Sequence, residues 1–394
     1  MQYDFNSCPS RYGTNSTKWD GMAGGFGAEC KYPLWIADMD FVSPPEVVKA
    51  LQERVAHGVF GYSITPDSYL EAIVEWEKTR HNFAIEKDWI LFSPGVVPGV
   101  YWSVNLFTQP GDKVMVLTPV YNPFFAAIKN QGRTLVECPL QRDERGHYGV
   151  DLDLFARTIR ENDVKVFILC SPHNPVGRVW TKAEIDSMVD ICVENGVLIV
   201  SDEIHQDIVF EGYEHLPTAS TSQKALENTI TITAATKTFN LAGLQNSILI
   251  VPDKVRREKI QKYASEQLDI MGGNLLGYVA VEAAYRHGGQ WLDELIAVIE
   301  QNYRLLCDYI AKMPKLNVTP MEATYLAWVD MNGLGLDDDE LDAFLKKECL
   351  IAANMGRVYG PNGKGFVRFN IGCQRDMLTE ALESLLAAYN KRFA

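Results

Sequence analysis

The sequence lacks the basic surplus that marks nucleic-acid-binding and membrane-surface proteins. Its 394 residues include 37 Lys and Arg against 51 Asp and Glu, which gives a formal net charge of −14. Binding to nucleic acid or to an anionic membrane depends on a positively charged surface. We therefore expect neither of them as a partner.

Paired cysteines and long apolar runs are also missing. The eight cysteines are scattered and no two form a C-x-x-C pair, so neither a zinc ribbon nor a redox motif is indicated. No run approaches the roughly 18 apolar residues of a membrane span, and the first twenty residues contain no apolar stretch typical of a signal peptide. Scattered, unpaired cysteines favour a reducing compartment. We expect a cytoplasmic protein.

What the sequence does contain is an alternation of apolar β-branched runs and amphipathic segments. The predicted strands are "KVMVLTP" (113–119), "TLVECPL" (134–140), "VKVFILCSP" (164–172), "VLIVSDEI" (197–204), "TITITAA" (229–235) and "NSILIVP" (246–252). Nearly continuous apolarity is typical of strands buried on both faces of a mostly parallel sheet. Thr181 and Glu184 form a capping-box pattern that predicts a helix through Glu194, ended by Gly196. The alternation predicts an α/β layered domain.

The pattern changes after about residue 285. A long helix near 290–312, the run "TYLAWVDM", a helix near 337–349, the strand "FVRFNIG" and a final helix indicate a smaller α+β unit. A chain of this length exceeds what one compact core usually serves. We expect residues 1–48 to join the small domain, residues 49–285 to form the large domain, and residues 286–394 to form the small domain.

Polar residues follow several of the predicted strands, where ligands collect in open α/β sheets. They lie in "SPGVVPG" (93–99), "SPHNPVG" (171–177), "SDEIHQD" (201–207) and "TAATKTF" (233–239). Each has an ordinary alternative: Asn174 alone is compatible with a turn and Lys237 with a surface lysine. "DEIHQD" resembles a metal cluster, but on a strand only Asp202 and Ile204, or Glu203 and His205, would share a side. We expect no metal.

One cofactor requires all four groups together. Pyridoxal phosphate needs a lysine for its aldehyde, a carboxylate for its pyridine nitrogen and a donor for its phenolate oxygen. Its phosphate suits a helix N-terminus preceded by glycine. Lys237 has small residues and no acid beside it in sequence, which favours a reactive free amine.

These motifs carry a resemblance to a known family. In order they are "PGVVPG", "YNPF", "HNPVGRVW", "SDEIHQD", "TKTFNLAGLQ" and "VRFNIG". Their order resembles the fold-type-I pyridoxal-phosphate enzymes of the aspartate aminotransferase superfamily. "WIADMDF" (35–41), "GY" (61–62) and "EATYLAWVD" (322–330) narrow the resemblance to the cystathionine β-lyase or cysteine-conjugate C–S lyase branch. The resemblance covers essentially the whole chain and implies a three-layer α-β-α sandwich.

The resemblance implies roles for the matching residues. Lys237 would carry the cofactor as an aldimine and move the Cα proton, Asp202 would pair with the pyridinium nitrogen, and Asn174 would hydrogen-bond the ring oxygen. The other implied cofactor contacts are Tyr62, Gly95, Val96, Val97, Tyr121, His205, Thr233 and Thr236. The implied substrate contacts are Ala37, Asn174, Tyr325 and Arg368.

Four of the matched positions carry further expectations. Tyr121 would stack on the ring and act with Lys237 in catalysis. Arg368 would clamp the substrate α-carboxylate, a bidentate task that suits a guanidinium. Tyr62 would act catalytically at the phosphate of the neighbouring subunit, which implies a homodimer with shared active sites. Gln245 stands where the superfamily often has an arginine, so the phosphate site relies more on backbone and hydroxyl donors.

No single residue in the sequence distinguishes β-elimination from transamination. We therefore base the predicted reaction on the motifs of the lyase branch. We expect a carbon–sulfur β-lyase that cleaves L-cystathionine or related S-substituted cysteines to pyruvate, ammonia and a thiol. The alternative is a class I/II aminotransferase, and a further alternative adds a regulatory protein-binding role to the lyase. A nicotinamide dehydrogenase is set aside, because "GGFGAE" (24–29) lacks the G-x-G-x-x-G spacing and follows no predicted strand.

Overall fold

The computed structural model describes residues 2–393. The strands are β1 Tyr32–Pro33, β2 Ile90–Ser93, β3 Lys113–Thr118, β4 Thr134–Pro139, β5 Gln141–Arg142, β6 Tyr148–Gly149, β7 Val164–Cys170, β8 Leu198–Asp202, β9 Thr229–Thr233, β10 Ser247–Ile250, β11 Asn317–Val318, β12 Leu326–Asp330, β13 Ile351–Ala352, β14 Asn354–Met355 and β15 Phe366–Asn370. The α-helices are α1 Met22–Phe26, α2 Pro45–Ala56, α3 Asp67–His81, α4 Val96–Phe107, α5 Pro123–Lys129, α6 Leu152–Asn162, α7 Lys182–Glu194, α8 Gln223–Asn228, α9 Ala235–Thr238, α10 Lys254–Gln267, α11 Leu275–His287, α12 Gly289–Ile310, α13 Asp338–Ala343 and α14 Arg375–Phe393.

A seven-stranded sheet forms the centre of the fold, in the order β2-β10-β9-β8-β7-β3-β4. Strands β9, β8, β7, β3 and β4 pair in parallel, and β10 runs antiparallel to both of its neighbours. All six predicted strands lie in this sheet, so the prediction of a mostly parallel α/β sheet is confirmed. The prediction missed β2, because four residues directly before a Gly/Pro turn leave too short a pattern to recognise.

The two faces of the sheet are both covered by helices. On β3, Val114 and Val116 pack into an apolar cluster with side chains of α4 and α5. The alternate residues Met115 and Leu117 pack on the other face with side chains of α6 and α7. Strand residues point alternately to opposite faces, so a strand buried on both sides must be apolar at every position. This is why the apolar runs in the sequence are nearly continuous.

Local signals fix the helix ends around the sheet. The capping box of α7 forms as predicted, since Thr181 accepts from the Glu184 N–H and Glu184 accepts from the Thr181 N–H; such a cap contributes about 1 kcal/mol. Gly196 follows α7 at φ +67°, a backbone conformation that glycine adopts without strain. The helix predicted near 337–349 is shorter, because α13 passes into a single π-helical turn over Phe344–Glu348.

A second sheet has the order β11-β12-β15-β14. It contains the predicted strand "FVRFNIG" and part of the run "TYLAWVDM", and places Arg368 opposite Trp328. The N-terminal segment joins this part of the molecule through β1, which pairs in parallel with β13. The domain boundaries at residues 48 and 285 stay a prediction. Within residues 2–393, no helix combines the length and the apolarity needed to cross a bilayer.

Candidate active site

The functional motifs converge at one edge of the central sheet, at the carboxyl ends of β2, β3, β7, β8 and β9. A cavity of about 200 Å³ opens there. Its walls are Ala37, Pro94, Gly95, Val96, Val97, Pro98, Tyr121, Cys170, Asn174, Asp202, Ile204, His205, Thr236, Lys237, Ala242, Gln245 and Ser247. The antiparallel β10 begins at this edge, which is how Ser247 reaches the cavity. Ten of the fourteen residues singled out from the sequence are among the walls.

Lys237 lies on a single helical turn, α9, that follows β9, and not on the strand end itself. Its Nζ donates a hydrogen bond of 2.6 Å to the Ala37 carbonyl oxygen. Burial, helped by the nearby Arg368, lowers the pKa of this amine to about 8, against the raising effects of Asp38 and Asp202. A buried ammonium is costly, so the amine is neutral at a pH where an exposed lysine is charged.

Asp202 ends β8 and is buried in the same cavity. Its carboxylate accepts one backbone hydrogen bond, from the Ile204 N–H at 3.1 Å. Burial raises the pKa of Asp202 to about 7, against the lowering effects of that hydrogen bond and of Lys237. A buried carboxylate with so little compensation is suited to a cationic partner.

The expected alternation beyond Asp202 is wrong. Asp202, Ile204 and His205 all line the cavity, whereas Glu203 points away and contacts His215 Nε2 at 3.1 Å. The physical reason is that β8 ends at Asp202, so strand periodicity does not apply to the residues after it. Burial lowers the pKa of His205 to about 3, and its Nδ1 has no partner among residues 2–393. His205 is therefore neutral.

Backbone N–H groups and uncharged side chains line one end of the cavity. Gly95 is the N-cap of α4 and supplies no side-chain cap, and the first N–H groups of a helix have no partner within it. Val96 and Val97 open this helix. Thr236, Gln245 and Ser247 also line the cavity, and Ser247 pairs with Ser93 just before Gly95. This end of the cavity fits an anion.

Asn174 and Arg368 join the two sheets beside the cavity. Arg368 Nη1 donates to Asn174 Oδ1 at 3.1 Å, and its Nη2 donates to the Trp35 carbonyl oxygen at 2.9 Å. Its buried Nε has no partner within the described chain. Tyr121 also lines the cavity, and burial raises its pKa to about 12 against the lowering effect of Arg368, so this side chain is neutral.

Four residues singled out from the sequence lie outside the cavity walls: Tyr62, Thr233, Tyr325 and Arg368. Arg368 reaches the cavity through Asn174. Tyr325 donates from its hydroxyl to the Ala37 carbonyl oxygen at 3.2 Å. Thr233 donates to the Glu203 carbonyl oxygen at 3.2 Å, away from the cavity. Tyr62 is fully exposed and lies in a separate cleft with residues 269–276.

Sequence reasoning missed how the segment 35–41, which we name the strap, is held against the cavity. The strap has no helix or strand. Each of its seven carbonyl oxygens accepts a hydrogen bond from a side chain elsewhere in the chain. The donors are Arg11, Lys18, Lys237, Asn240, Tyr325, Asn354, Arg368, Asn370 and Gln374. The signal available in the sequence was Asn240 within "TKTFNLAGLQ" and Asn370 within "VRFNIG".

Comparison with known proteins identifies the class. The family model described as aminotransferase class I and II matches residues 32–385, and the chain belongs to this family. Among its relatives, cystathionine beta-lyase PatB of Bacillus subtilis (strain 168) is 40% identical over 387 residues. The match covers 98% of this chain and 99% of PatB.

Solved structures agree with this assignment. A pyridoxal-phosphate-bound structure from Clostridium difficile 630, which carries the name of an aminotransferase, superposes with a TM-score of 0.96 at 43% identity and covers 98% of this chain and 100% of its own. Cystalysin from Treponema denticola, which contains pyridoxal 5'-phosphate, gives a TM-score of 0.94 at 38% identity, with coverage of 99% and 100%. The expected fold-type-I architecture is therefore confirmed.

Proposed function

We propose that this protein is a pyridoxal-phosphate-dependent carbon–sulfur β-lyase. Its substrates are L-cystathionine or related S-substituted cysteines, and its products are pyruvate, ammonia and a thiol. The observation that carries the proposal is the pairing of Lys237, whose pKa is lowered to about 8, with buried Asp202 at one cavity. The 40% identity to a cystathionine β-lyase along nearly the whole chain supports the choice of reaction.

The residues around the cavity fit the cofactor. Lys237 supplies an amine for the aldehyde, and Asp202 supplies a buried carboxylate that lacks a cation. Asn174 and the unpartnered His205 Nδ1 offer polar contacts to the ring and its oxygen. The end of the cavity at Gly95, with the N-terminus of α4, suits the phosphate.

Pyridoxal phosphate supplies an electron sink that makes the Cα proton of a bound amino acid acidic. Asp202 strengthens this sink by keeping the pyridine nitrogen protonated. With the cofactor bound, the Nζ of neutral Lys237 would accept this proton, and its lowered pKa gives it a larger neutral fraction near pH 7 than an ordinary lysine has. Departure of the thiolate from Cβ then distinguishes a lyase substrate from an ordinary amino acid.

The substrate carboxylate belongs between the two sheets. Arg368 has an unpartnered Nε beside its two hydrogen-bonded Nη atoms, so the guanidinium retains a donor for a carboxylate. Ala37 lines the cavity, and its N–H has no acceptor within residues 2–393. Ala37 and Asn174 line the same cavity, and Arg368 contacts Asn174. Together they select α-amino acids.

Transamination is the second candidate, because the family model and the Clostridium difficile relative both carry aminotransferase names. The two reactions differ in their requirement for a keto acid. We expect L-cystathionine to yield pyruvate, ammonia and a thiol with no keto acid added. Turnover that depends on an added keto-acid acceptor would reject the lyase and support the aminotransferase.

We also propose a homodimer in which Tyr62 completes the site of the partner subunit. Tyr62 is fully exposed and lies near further exposed apolar side chains, Phe60, Ile64 and Met271, and large exposed apolar patches favour protein contacts. A mixed dimer of Tyr62→Phe and Lys237→Ala protomers would contain one intact site. Recovery of activity on mixing supports the shared site, and no recovery despite heterodimer formation contradicts it.

The cytoplasm remains our proposed location. All eight cysteines are free thiols in the structure, and six of them are buried. Thiols of this kind persist in a reducing compartment. A fractionation that found the protein outside the cell with intact disulfides would contradict the proposal.

A further inference from the structure

Asn240 connects the turn that carries Lys237 to the strap. It lies three residues after Lys237 and has a backbone φ of +59°, a conformation that is uncommon outside glycine and in which asparagine is enriched. Its Nδ2 donates to the carbonyl oxygens of Met39 and Phe41, both at 2.9 Å. Its Oδ1 accepts from the Met39 N–H at 3.2 Å. The whole amide is therefore used to hold the backbone of the strap.

The part of the strap that faces the cavity is Ala37, two residues before Met39. Its carbonyl oxygen accepts from Lys237 and Tyr325, while its N–H has no acceptor within the described residues. A free backbone N–H at a cavity wall is a ready donor for an anionic ligand. The strap has no regular structure. One backbone hydrogen bond, from the Asp40 N–H to the Gly372 carbonyl oxygen at 3.0 Å, joins it to the rest of the chain, and its position relative to Lys237 is otherwise set by side-chain hydrogen bonds.

We propose that Asn240 is a positioning residue that sets where the Ala37 N–H meets the carboxylate of the substrate. This inference rests on the proposed function, since it requires an amino acid in the cavity. Asn240 itself contacts the strap and does not line the cavity. Asn240 should therefore affect the affinity for substrate, through its hydrogen bonds to Met39, and should not affect the covalent bond between Lys237 and the cofactor.

The test replaces Asn240 with glycine, which adopts the positive φ at no steric cost and removes only the side-chain hydrogen bonds to the strap. Asn82→Gly is the matched control, because Asn82 also has a positive φ of +49° and is exposed. Asn240→Asp is the second variant, which keeps the acceptor for the Met39 N–H but turns the two donors into a carboxylate. All measurements use the cofactor-loaded enzyme.

We expect Asn240→Gly and Asn240→Asp to raise KM for L-cystathionine about tenfold, equivalent to about 1.4 kcal/mol, with kcat changed less than about threefold. The dissociation constant of L-alanine, followed by the absorbance of the bound cofactor, should rise by the same factor. The amount of cofactor trapped by borohydride should stay at the wild-type level, and Asn82→Gly should leave all three quantities unchanged.

An unchanged dissociation constant for L-alanine in both variants overturns the proposal. A fall in cofactor content or melting temperature without a rise in KM also overturns it, since a purely structural role would act in that way. The L-alanine measurement needs no turnover. If the wild-type enzyme released no pyruvate, the lyase proposal would fail while the role of Asn240 would still be decided.

Discussion

The sheet edge and the strap face the same cavity but are built differently. At the sheet edge, Asp202 ends a buried parallel strand, and Asn174 and Lys237 each lie four residues after the end of another. The sheet positions all three through its own backbone pairing. The strap has no backbone pairing of this kind across residues 35–41 and is held by side chains. The comparison indicates that the reacting groups lie on the rigid sheet edge, whereas the fit of the substrate depends on the more adaptable strap. Changes at the edge should remove reaction steps, and changes at the strap should alter affinity.

The largest effect is expected from Asp202→Asn at the sheet edge. A neutral amide cannot stabilise a protonated pyridine nitrogen, so kcat should fall on the order of 10²–10³-fold while the cofactor remains attached to Lys237. Stopped-flow turnover and borohydride trapping measure the two quantities. Asp153→Asn, at an exposed position on α6, is the control. A fall in kcat of less than tenfold would contradict the role of Asp202 as the partner of the pyridine nitrogen.

The pH dependence of cofactor attachment tests the setting of Lys237. Burial lowers the pKa of this amine to about 8 from 10.5, so the neutral amine predominates above about pH 8. In protein stripped of cofactor, the attachment rate should rise about tenfold per pH unit from pH 6 and level off near 8. A small exposed amine, measured in parallel, corrects for the ionisation of pyridoxal phosphate itself. A rate that keeps rising to pH 10 contradicts a depressed pKa.

Arg368 connects the two regions, since it donates both to Asn174 and to the Trp35 carbonyl oxygen of the strap. Arg368→Lys keeps the charge but cannot make the same set of hydrogen bonds. We expect kcat/KM to fall about 10- to 50-fold, mostly through KM, on the scale of one or two charge-assisted hydrogen bonds. Arg160→Lys at an exposed site on α6 is the control. An effect confined to kcat would contradict a carboxylate-binding role.

The smallest effect is expected from a substitution that removes one hydrogen bond to the strap. Tyr325→Phe removes one of the two hydrogen bonds to the Ala37 carbonyl oxygen and leaves the ring packed. Because the substitution removes only one neutral hydrogen bond, KM should rise only about threefold. Steady-state kinetics measures it, with Tyr213→Phe at an exposed position as the control. A loss of kcat as large as that of Asp202→Asn would erase the distinction between the regions.

The same comparison explains which features could be predicted from the sequence. The strands that lead to Asn174, Asp202 and Lys237 are local apolar runs, and their ends were predicted to within a few residues. The antiparallel direction of β10 and the four-residue β2 depend on pairing between distant segments, which a local pattern does not contain.

The strap could be recognised only as a motif, because the hydrogen bonds that hold it come from residues far away in the chain. Asn240 is 201 positions from Met39, and Asn370 is 334 positions from Ile36. No periodicity links such residues. The side on which His205 lies was mispredicted for a related reason, since strand alternation was applied beyond the residue where β8 ends.

The most direct test of the whole account is the site of covalent cofactor attachment. The purified protein is reduced with borohydride, digested, and the pyridoxyl-modified peptide is identified by mass spectrometry, with Lys347→Ala at an exposed position as the control variant. The account predicts a single adduct on Lys237, retained in Lys347→Ala and lost in Lys237→Ala together with pyruvate release. An adduct on another lysine, or turnover by Lys237→Ala at the wild-type rate, would contradict it.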